Sequence, residues 1–307
     1  MKVLLTGAAG FAGSHIADEI IAYTDWDIIA LDCLTYAGHI SNLCNIPKER
    51  LQFIYHDFRF PLLDEVLAKI GDVDYILHVG AETNVKTSFY NPKLFFDSNA
   101  LGTMNMLEAA RKLKPKVFLY TSTDEVFGQS SDYSFVETDA LNPSNPYSAS
   151  KAAGEMMVRA YIKSFHTPAI ITRTTNMIGR RQHVEKFVPM TISNIRKGMP
   201  VQIHTNATGE VGSRQWLHAS DQAAALLFLL DHGRIGETYH IAGERRSNSD
   251  VVYCIASGLK KEYQIKYVSA YDEFPGHDLH YALNDDKIRI MGWVPQLSFE
   301  EGLALTL

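Results

Sequence analysis

The chain has 307 residues, 46% hydrophobic and 21% charged, enough for a large core and ordinary for a globular fold. Its formal net charge of −6 argues against a phosphate-backbone partner, so no nucleic acid is expected, and the longest apolar run, 223–230, is too short to cross a bilayer, so no membrane partner is expected either. Cys33, Cys44 and Cys254 are too few and too scattered for a disulfide framework or a zinc site; no metal is expected, and a reducing cytoplasm is the expected setting.

Residues 2–6 read as an apolar strand that runs straight into Thr6-Gly7, a strand feeding a loop rather than a signal peptide. The loop Gly7-Ala8-Ala9-Gly10-Phe11-Ala12-Gly13 then opens a helix over 12–23. Its glycines permit a tight turn and close backbone approach, and the helix start offers unpaired N–H groups to a pyrophosphate. An ordinary glycine-rich turn has the same composition, but here the strand before and the helix after are both right. The second strand, 27–31, leads into Asp32, 19 residues beyond Gly13. A carboxylate there can bond the ribose hydroxyls of NAD and would repel the 2′-phosphate of NADP.

A strand over 51–55 ends near Asp57, which could face the adenine and is by itself no better than a solvated loop acid. A helix over 62–70, a strand over 74–79, a long helix over 91–112, a strand over 116–121, a helix over 144–165 and a strand over 169–173 follow. Strand–helix alternation of this kind predicts an α/β fold with a doubly wound parallel sheet of Rossmann type, a NAD-binding domain over 1–175. Beyond 176 the order loosens: helices over 185–197, 220–231 and 250–259 mix with short strands over 238–241 and 264–268. They predict a smaller C-terminal α/β lobe, 176–307, over the active edge of the sheet.

Ligands of open parallel sheets sit at the carboxyl ends of strands. The strand over 116–121 therefore delivers Thr123, Asp124 and Glu125 to the substrate. A helix N-cap with an acidic first turn is the commonest reason for such a run. If catalytic, the two carboxyls should have pKa values pushed apart, leaving a protonated acid and an ionised base, and elimination of water needs both. Tyr147 and Lys151, four apart on a predicted helix, share a face. The ammonium and the positive nicotinamide of a bound cofactor should lower the phenol's pKa and let it act as a base toward a hydroxyl.

With these residues in place, the chain resembles the extended short-chain dehydrogenases/reductases, and among them most closely the dTDP-glucose 4,6-dehydratases. The matching runs are 6–15 (TGAAGFAGSH), 32–38 (DCLTYAG), 78–84 (HVGAETN), 122–128 (STDEVFG), 146–151 (PYSASK), 182–189 (QHVEKFVP) and 275–278 (PGHD). The resemblance implies NAD held by Gly7, Gly10, Phe11, Ala12, Gly13, Asp32, Thr35, Gly38, Asp57, Phe58, Tyr147 and Lys151. It implies a nucleotide-diphosphate hexose as substrate. Tyr147 with Thr123 would serve oxidation at sugar carbon 4, Glu125 would take the proton from carbon 5, and Asp124 would protonate the hydroxyl leaving carbon 6. Glu82, Glu137, Asn176, Lys186, Arg214 and Asn248 match residues around the substrate. Phe274 replaces an arginine of the family, Leu279-His280 replace basic residues, and Met177-Ile178 follow Asn176 where the family has Asn-Tyr, so nucleotide identity does not transfer. A nucleotide-sugar 4-epimerase needs the same residues without the acid–base pair, and a noncatalytic NAD-binding scaffold needs only the fold. Apolar residues beyond one face of the helices over 91–112 and 144–165, among them Phe96, Leu101, Met156 and Tyr161, predict a homodimer.

Overall fold

The computed structural model describes residues 1–130, 133–269 and 278–307. Six strands of the first half, β1 (Lys2–Thr6), β2 (Asp27–Asp32), β3 (Leu51–Tyr55), β4 (Tyr75–His78), β5 (Val117–Thr123) and β6 (Ala169–Thr174), lie parallel in one sheet. Strands β5 and β6 are buried at every position, as expected where helices cover both faces. The helices are α1 (Phe11–Tyr23), α2 (Asp64–Ile70), α3 (Val85–Tyr90), α4 (Pro92–Phe96), α5 (Gly102–Leu113) and α6 (Pro146–Phe165). The strand order reverses at β1, with β2 and β3 on one side and β4, β5 and β6 on the other. Thr6 aligns with Leu31 and His78, and Thr123 with Thr174, so the carboxyl ends open together onto the crevice at that switch point.

The helix expected over 91–112 is broken. Asn84 caps α3 and Asn91 caps α4, whose first residue is Pro92, and a proline is tolerated only where no N–H is required. A π-helical turn, Asp97–Leu101, then joins α4 to α5. The boundary expected at 175/176 is crossed by the returning chain. After β7 (Asn176–Ile178), α7 (Phe187–Arg196), β8 (Val201–Thr205) and β9 (Ser213–His218), helix α8 (Ala219–His232) packs on α1, and β10 (Thr238–Ile241) adds a seventh parallel strand beside β6. Ala223, Leu226 and Leu229 of α8 thus share a core with Val3, Leu5 and Ile16.

The smaller lobe is built from the sheet β11-β9-β7, with β11 Glu244–Ser247, and from the pair β12-β8, with β12 Ile265–Ser269. Helices α7, α9 (Asn248–Leu259) and the terminal α11 (Phe299–Thr306) pack around them on Val188, Ile192, Val251 and Ile255, while the short α10 (Asp286–Ile290) sits against β10. Among the described residues no helix is long and apolar enough to cross a membrane.

Candidate active site

The glycine loop is shaped by close approach. Gly7 has φ +66, and a Cβ there would lie 2.6 Å from Gly80 Cα; at Gly13 a Cβ would lie 2.1 Å from the Gly7 carbonyl oxygen. Any side chain at Gly13 would push the loop off the helix. Gly10 caps α1 without a side-chain hydrogen bond, so the first N–H groups of the helix remain available to a diphosphate. Asp32 is buried and accepts from Ala9 N at 2.9 Å and Leu34 N at 2.8 Å. Burial raises its pKa and those amides pull it back. Asp57 is forked by Arg59, with Nε 2.9 Å from Oδ2 and 3.0 Å from Oδ1. Gly7, Gly10, Phe11, Ala12, Gly13, Asp32, Thr35, Gly38, Asp57 and Phe58 all line one pocket, which continues to Tyr147 and Lys151. A glycine-lined cradle, an open helix start and a buried carboxylate at the second strand end fit a dinucleotide such as NAD.

The catalytic candidates meet in the same pocket. Thr123 ends β5 and caps a single 3-10 turn, Asp124–Phe127; its hydroxyl accepts from Glu125 N at 3.3 Å and donates to Asp124 Oδ1 at 3.1 Å. The cap is therefore Thr123, and Asp124 Oδ2 is buried without a hydrogen-bond partner among the described residues. Burial and then the Glu125 charge push the Asp124 carboxyl up to about 7. Burial raises Glu125 as well, and Arg214 and Lys186 hold it back. Both carboxyls rise, and the cations restrain the base. Facing them, α6 begins with a reciprocal cap: Ser148 N donates to Asn145 Oδ1 at 2.9 Å, and Asn145 N to Ser148 Oγ at 3.2 Å. This fixes Tyr147 and, one turn on, Lys151.

The lowering of the Tyr147 phenol expected from the Lys151 ammonium is not what the geometry gives. Its pKa stands well above the ordinary value because it is buried and faces Glu125, with the Thr123 hydroxyl opposing. Lys151 Nζ instead donates to the Thr121 carbonyl at 2.7 Å and lies 4.5 Å from the Tyr120 ring centroid. Burial lowers that ammonium to about 7, and Glu155 opposes the fall.

Of the substrate candidates, Glu82, Asn176 and Lys186 line the pocket with Thr123. Lys186 Nζ donates to the Thr83 carbonyl at 2.7 Å. Glu137, Arg214 and Asn248 are not among its lining residues. Glu137 Oε1 accepts from His240 N at 3.1 Å at the sheet edge, and Asn248 N donates to the Gly212 carbonyl at 3.0 Å. Arg214 is buried; its guanidinium donates to the carbonyls of Ser213, Leu279 and Asp278 and lies 4.4 Å from the Tyr281 ring centroid. It reaches the site as a charge on Glu125. Phe274 and residues 275–277 lie outside the described residues.

Several residues around the pocket were not singled out from the sequence. Asn99, in the π-helical turn, brackets Glu82 by accepting from its N–H and donating to its carbonyl, both at 2.9 Å, and also donates to Ser150 Oγ at 2.8 Å. Tyr36 donates to Glu185 at 2.8 Å and Asn84 donates to the same carboxylate, tying the cofactor loop to the lobe. Tyr281 donates to Asp278 Oδ2 at 2.9 Å and faces Glu125 Oε2 at 3.4 Å, while Ser144 Oγ donates to Asp278 at 2.7 Å. Tyr36, Asn84, Glu185 and Asp278 lie in the matched runs 32–38, 78–84, 182–189 and 275–278; nothing local marks Asn99, Ser144 or Tyr281.

Tyrosine and lysine one helical turn apart, beside a dinucleotide crevice at a sheet switch point, define an enzyme of the short-chain dehydrogenase/reductase class. The chain belongs more narrowly to the GDP-mannose 4,6 dehydratase family, whose sequence model it matches over residues 4–306. It is 37% identical to the low-salt glycan biosynthesis protein Agl12 of Haloferax volcanii, covering 99% of this chain and 96% of that one. It is 36% identical to dTDP-glucose 4,6-dehydratase 1 of Escherichia coli K12, covering 100% and 92%. The crystal structure of the dTDP-glucose 4,6-dehydratase DesIV from Streptomyces venezuelae, with NAD and TYD bound, superposes with a TM-score of 0.92 at 34% identity, covering 100% of this chain and 95% of that one. A UDP-glucose 4-epimerase from Thermus thermophilus, in complex with NAD, shares the fold at 29% identity.

Proposed function

We propose that the chain is an NAD-dependent nucleotide-sugar 4,6-dehydratase acting on dTDP-glucose or a close analogue such as UDP-glucose. The observation that carries this reading is the turn at Asp124–Glu125: two carboxyls, both raised by burial, face Tyr147 across the pocket. The cofactor, when bound, supplies the hydride acceptor for carbon 4 and, reduced, the donor for carbon 6. Gly7, Gly10, Phe11, Ala12 and Gly13 hold its diphosphate, and Asp32 its adenosine ribose. Tyr147, steadied by Thr123 and brought down from its raised value by the positive nicotinamide beside it when the cofactor is bound, takes the proton of the carbon-4 hydroxyl, and Lys151 orients the nicotinamide ribose. The resulting ketone acidifies carbon 5. Glu125 removes that proton, Asp124, protonated near neutrality, gives its proton to the hydroxyl leaving carbon 6, and Glu125 returns its proton to carbon 5 as hydride reaches carbon 6. Glu82, Asn176 and Lys186 line the sugar end, with Arg214 acting on Glu125 from behind. Mass spectrometry of products from a panel of nucleotide hexoses tests the reading: loss of one water supports it, and an isomeric product would make the protein a 4-epimerase.

NAD rather than NADP is expected to copurify, because Asp32 stands where a 2′-phosphate would be repelled. Gly13→Ala should abolish that binding, since its Cβ would sit 2.1 Å from the Gly7 oxygen. Cofactor analysis of the two proteins checks both expectations; NADP in the unmodified protein would contradict the first. A homodimer is expected through α4–α6, where Phe96, Leu101, Met156 and Phe165 are exposed. Light scattering should give twice the chain mass, and a monomer at micromolar concentration would count against it. Free cysteines at 33, 44 and 254 are compatible with a reducing cytoplasm.

A further inference from the structure

Behind the pocket, Arg173 and Glu155 form an ion pair that the proposed reaction does not use. Their side chains are 1% and 0% exposed. Arg173 Nη2 donates to Glu155 Oε2 at 2.8 Å and Nε donates to Oε1 at 3.0 Å. Nη1 donates to the Glu137 carbonyl at 3.2 Å and meets His240 Nε2 at 3.3 Å. That nitrogen is an acceptor when His240 Nδ1 donates to the Asn284 carbonyl, 3.0 Å away; burial and the arginine charge keep the ring neutral, with its pKa near 3. The guanidinium carbon also lies 4.6 Å from the Phe127 ring centroid.

Phe127 closes the turn that begins at Asp124. Glu155 lies one helical turn beyond Lys151 and two beyond Tyr147 on α6, so all three share a face. Arg173 therefore touches the two elements that carry the two halves of the chemistry. Stability is weak ground for such a pair, because the cost of desolvating two charges offsets most of their attraction.

We propose that Arg173 and Glu155 are positioning residues: the pair sets α6 against the turn at 124–127, and Glu155 places a carboxylate one helical turn from Lys151 on the same face of α6. This rests on the reading of Tyr147 and Lys151 as the oxidising pair. The titratable groups that act on Lys151 are His78 from β4, Tyr120 from β5 and Glu155 from its own helix. Burial keeps His78 neutral, with its pKa about 3, and pushes the Tyr120 phenol far up. Glu155 is the negative group among them that supports the ammonium.

The test is a pH titration of NAD-loaded protein labelled at lysine ε-carbons, read by NMR, with the Lys151 signal assigned by its loss in Lys151→Met. In Glu155→Gln the Lys151 midpoint should fall by about one pH unit, and the high-pH limb of turnover on dTDP-glucose should move down with it. Glu155→Asp should restore most of both. If Glu155→Gln strands Arg173 and does not fold, Glu155→Gln combined with Arg173→Met removes the stranded cation, and a smaller fall in the same direction is expected, because the cation's own repulsion of Lys151 goes with it. An unmoved midpoint in the folded variant overturns the proposal. Absence of dehydration by the unmodified protein would overturn the functional reading alone, since the titration is read without turnover.

Discussion

Glu125→Gln is expected to stop dehydration while leaving oxidation at carbon 4 intact. The substitution keeps the size of the side chain and its hydrogen-bonding reach, but removes the base for the carbon-5 proton. Tyr147 lies on a different element, held by the Asn145–Ser148 cap rather than by the turn that carries Glu125. Mixing substrate with the variant should therefore build NADH absorbance, while product formation falls by roughly 10²–10⁴, the usual worth of a placed general base. Tyr147→Phe should give the opposite pattern, with no NADH signal, because the carbon-4 hydroxyl then has no proton acceptor. Stopped-flow absorbance and product analysis separate the two. Product formation by Glu125→Gln near the unmodified rate would show that another group removes the carbon-5 proton and would take that role from Glu125.

The parts of the site that could be read in the sequence are those whose chemistry is local. The glycine loop, Asp32, the turn at 123–125 and the Tyr147–Lys151 pair each sit beside a periodic segment that fixes where the side chain will point. The π-helical turn at Asp97–Leu101 has no such signature, yet it aims Asn99 at the backbone of Glu82. Tyr281 and Arg214 come from the lobe, and only tertiary folding brings them to Glu125. The sequence order also misplaced β10: its four residues read as part of the lobe, and pairing with β6 returns them to the main sheet. The sign of the Tyr147 shift was missed for the same reason. A lysine at i+4 suggests a cation beside the phenol, whereas folding turns Nζ toward the Thr121 carbonyl, buries the phenol and sets the Glu125 charge against it.

Asp124→Asn should slow the enzyme and stabilise it, with the stabilisation depending on pH. As an acid, Asp124 must carry a proton at working pH, and burial first, then Glu125, bring its carboxyl from an ordinary 3.8 to about 7 in the folded chain. A raised folded value means that the carboxyl's contribution to stability is fully present below the unfolded pKa and is lost as pH rises through the folded one. The window runs from about pH 4 to about pH 7, at about 1.4 kcal/mol per pH unit, so the loss is on the order of a few kcal/mol. Asparagine does not ionise and escapes that loss. Thermal unfolding of Asp124→Asn should match the unmodified protein near pH 4 and exceed it increasingly up to pH 7, with a constant gap above. Turnover should fall by roughly 10²–10⁴ for want of a proton donor to the leaving hydroxyl. Because Glu125 remains, the variant should still exchange the carbon-5 proton for solvent deuterium, which Glu125→Gln should not. A stability gap that does not change between pH 4 and pH 7 would show that Asp124 is ionised in the folded protein, and the proton for the departing hydroxyl would then have to come from another group.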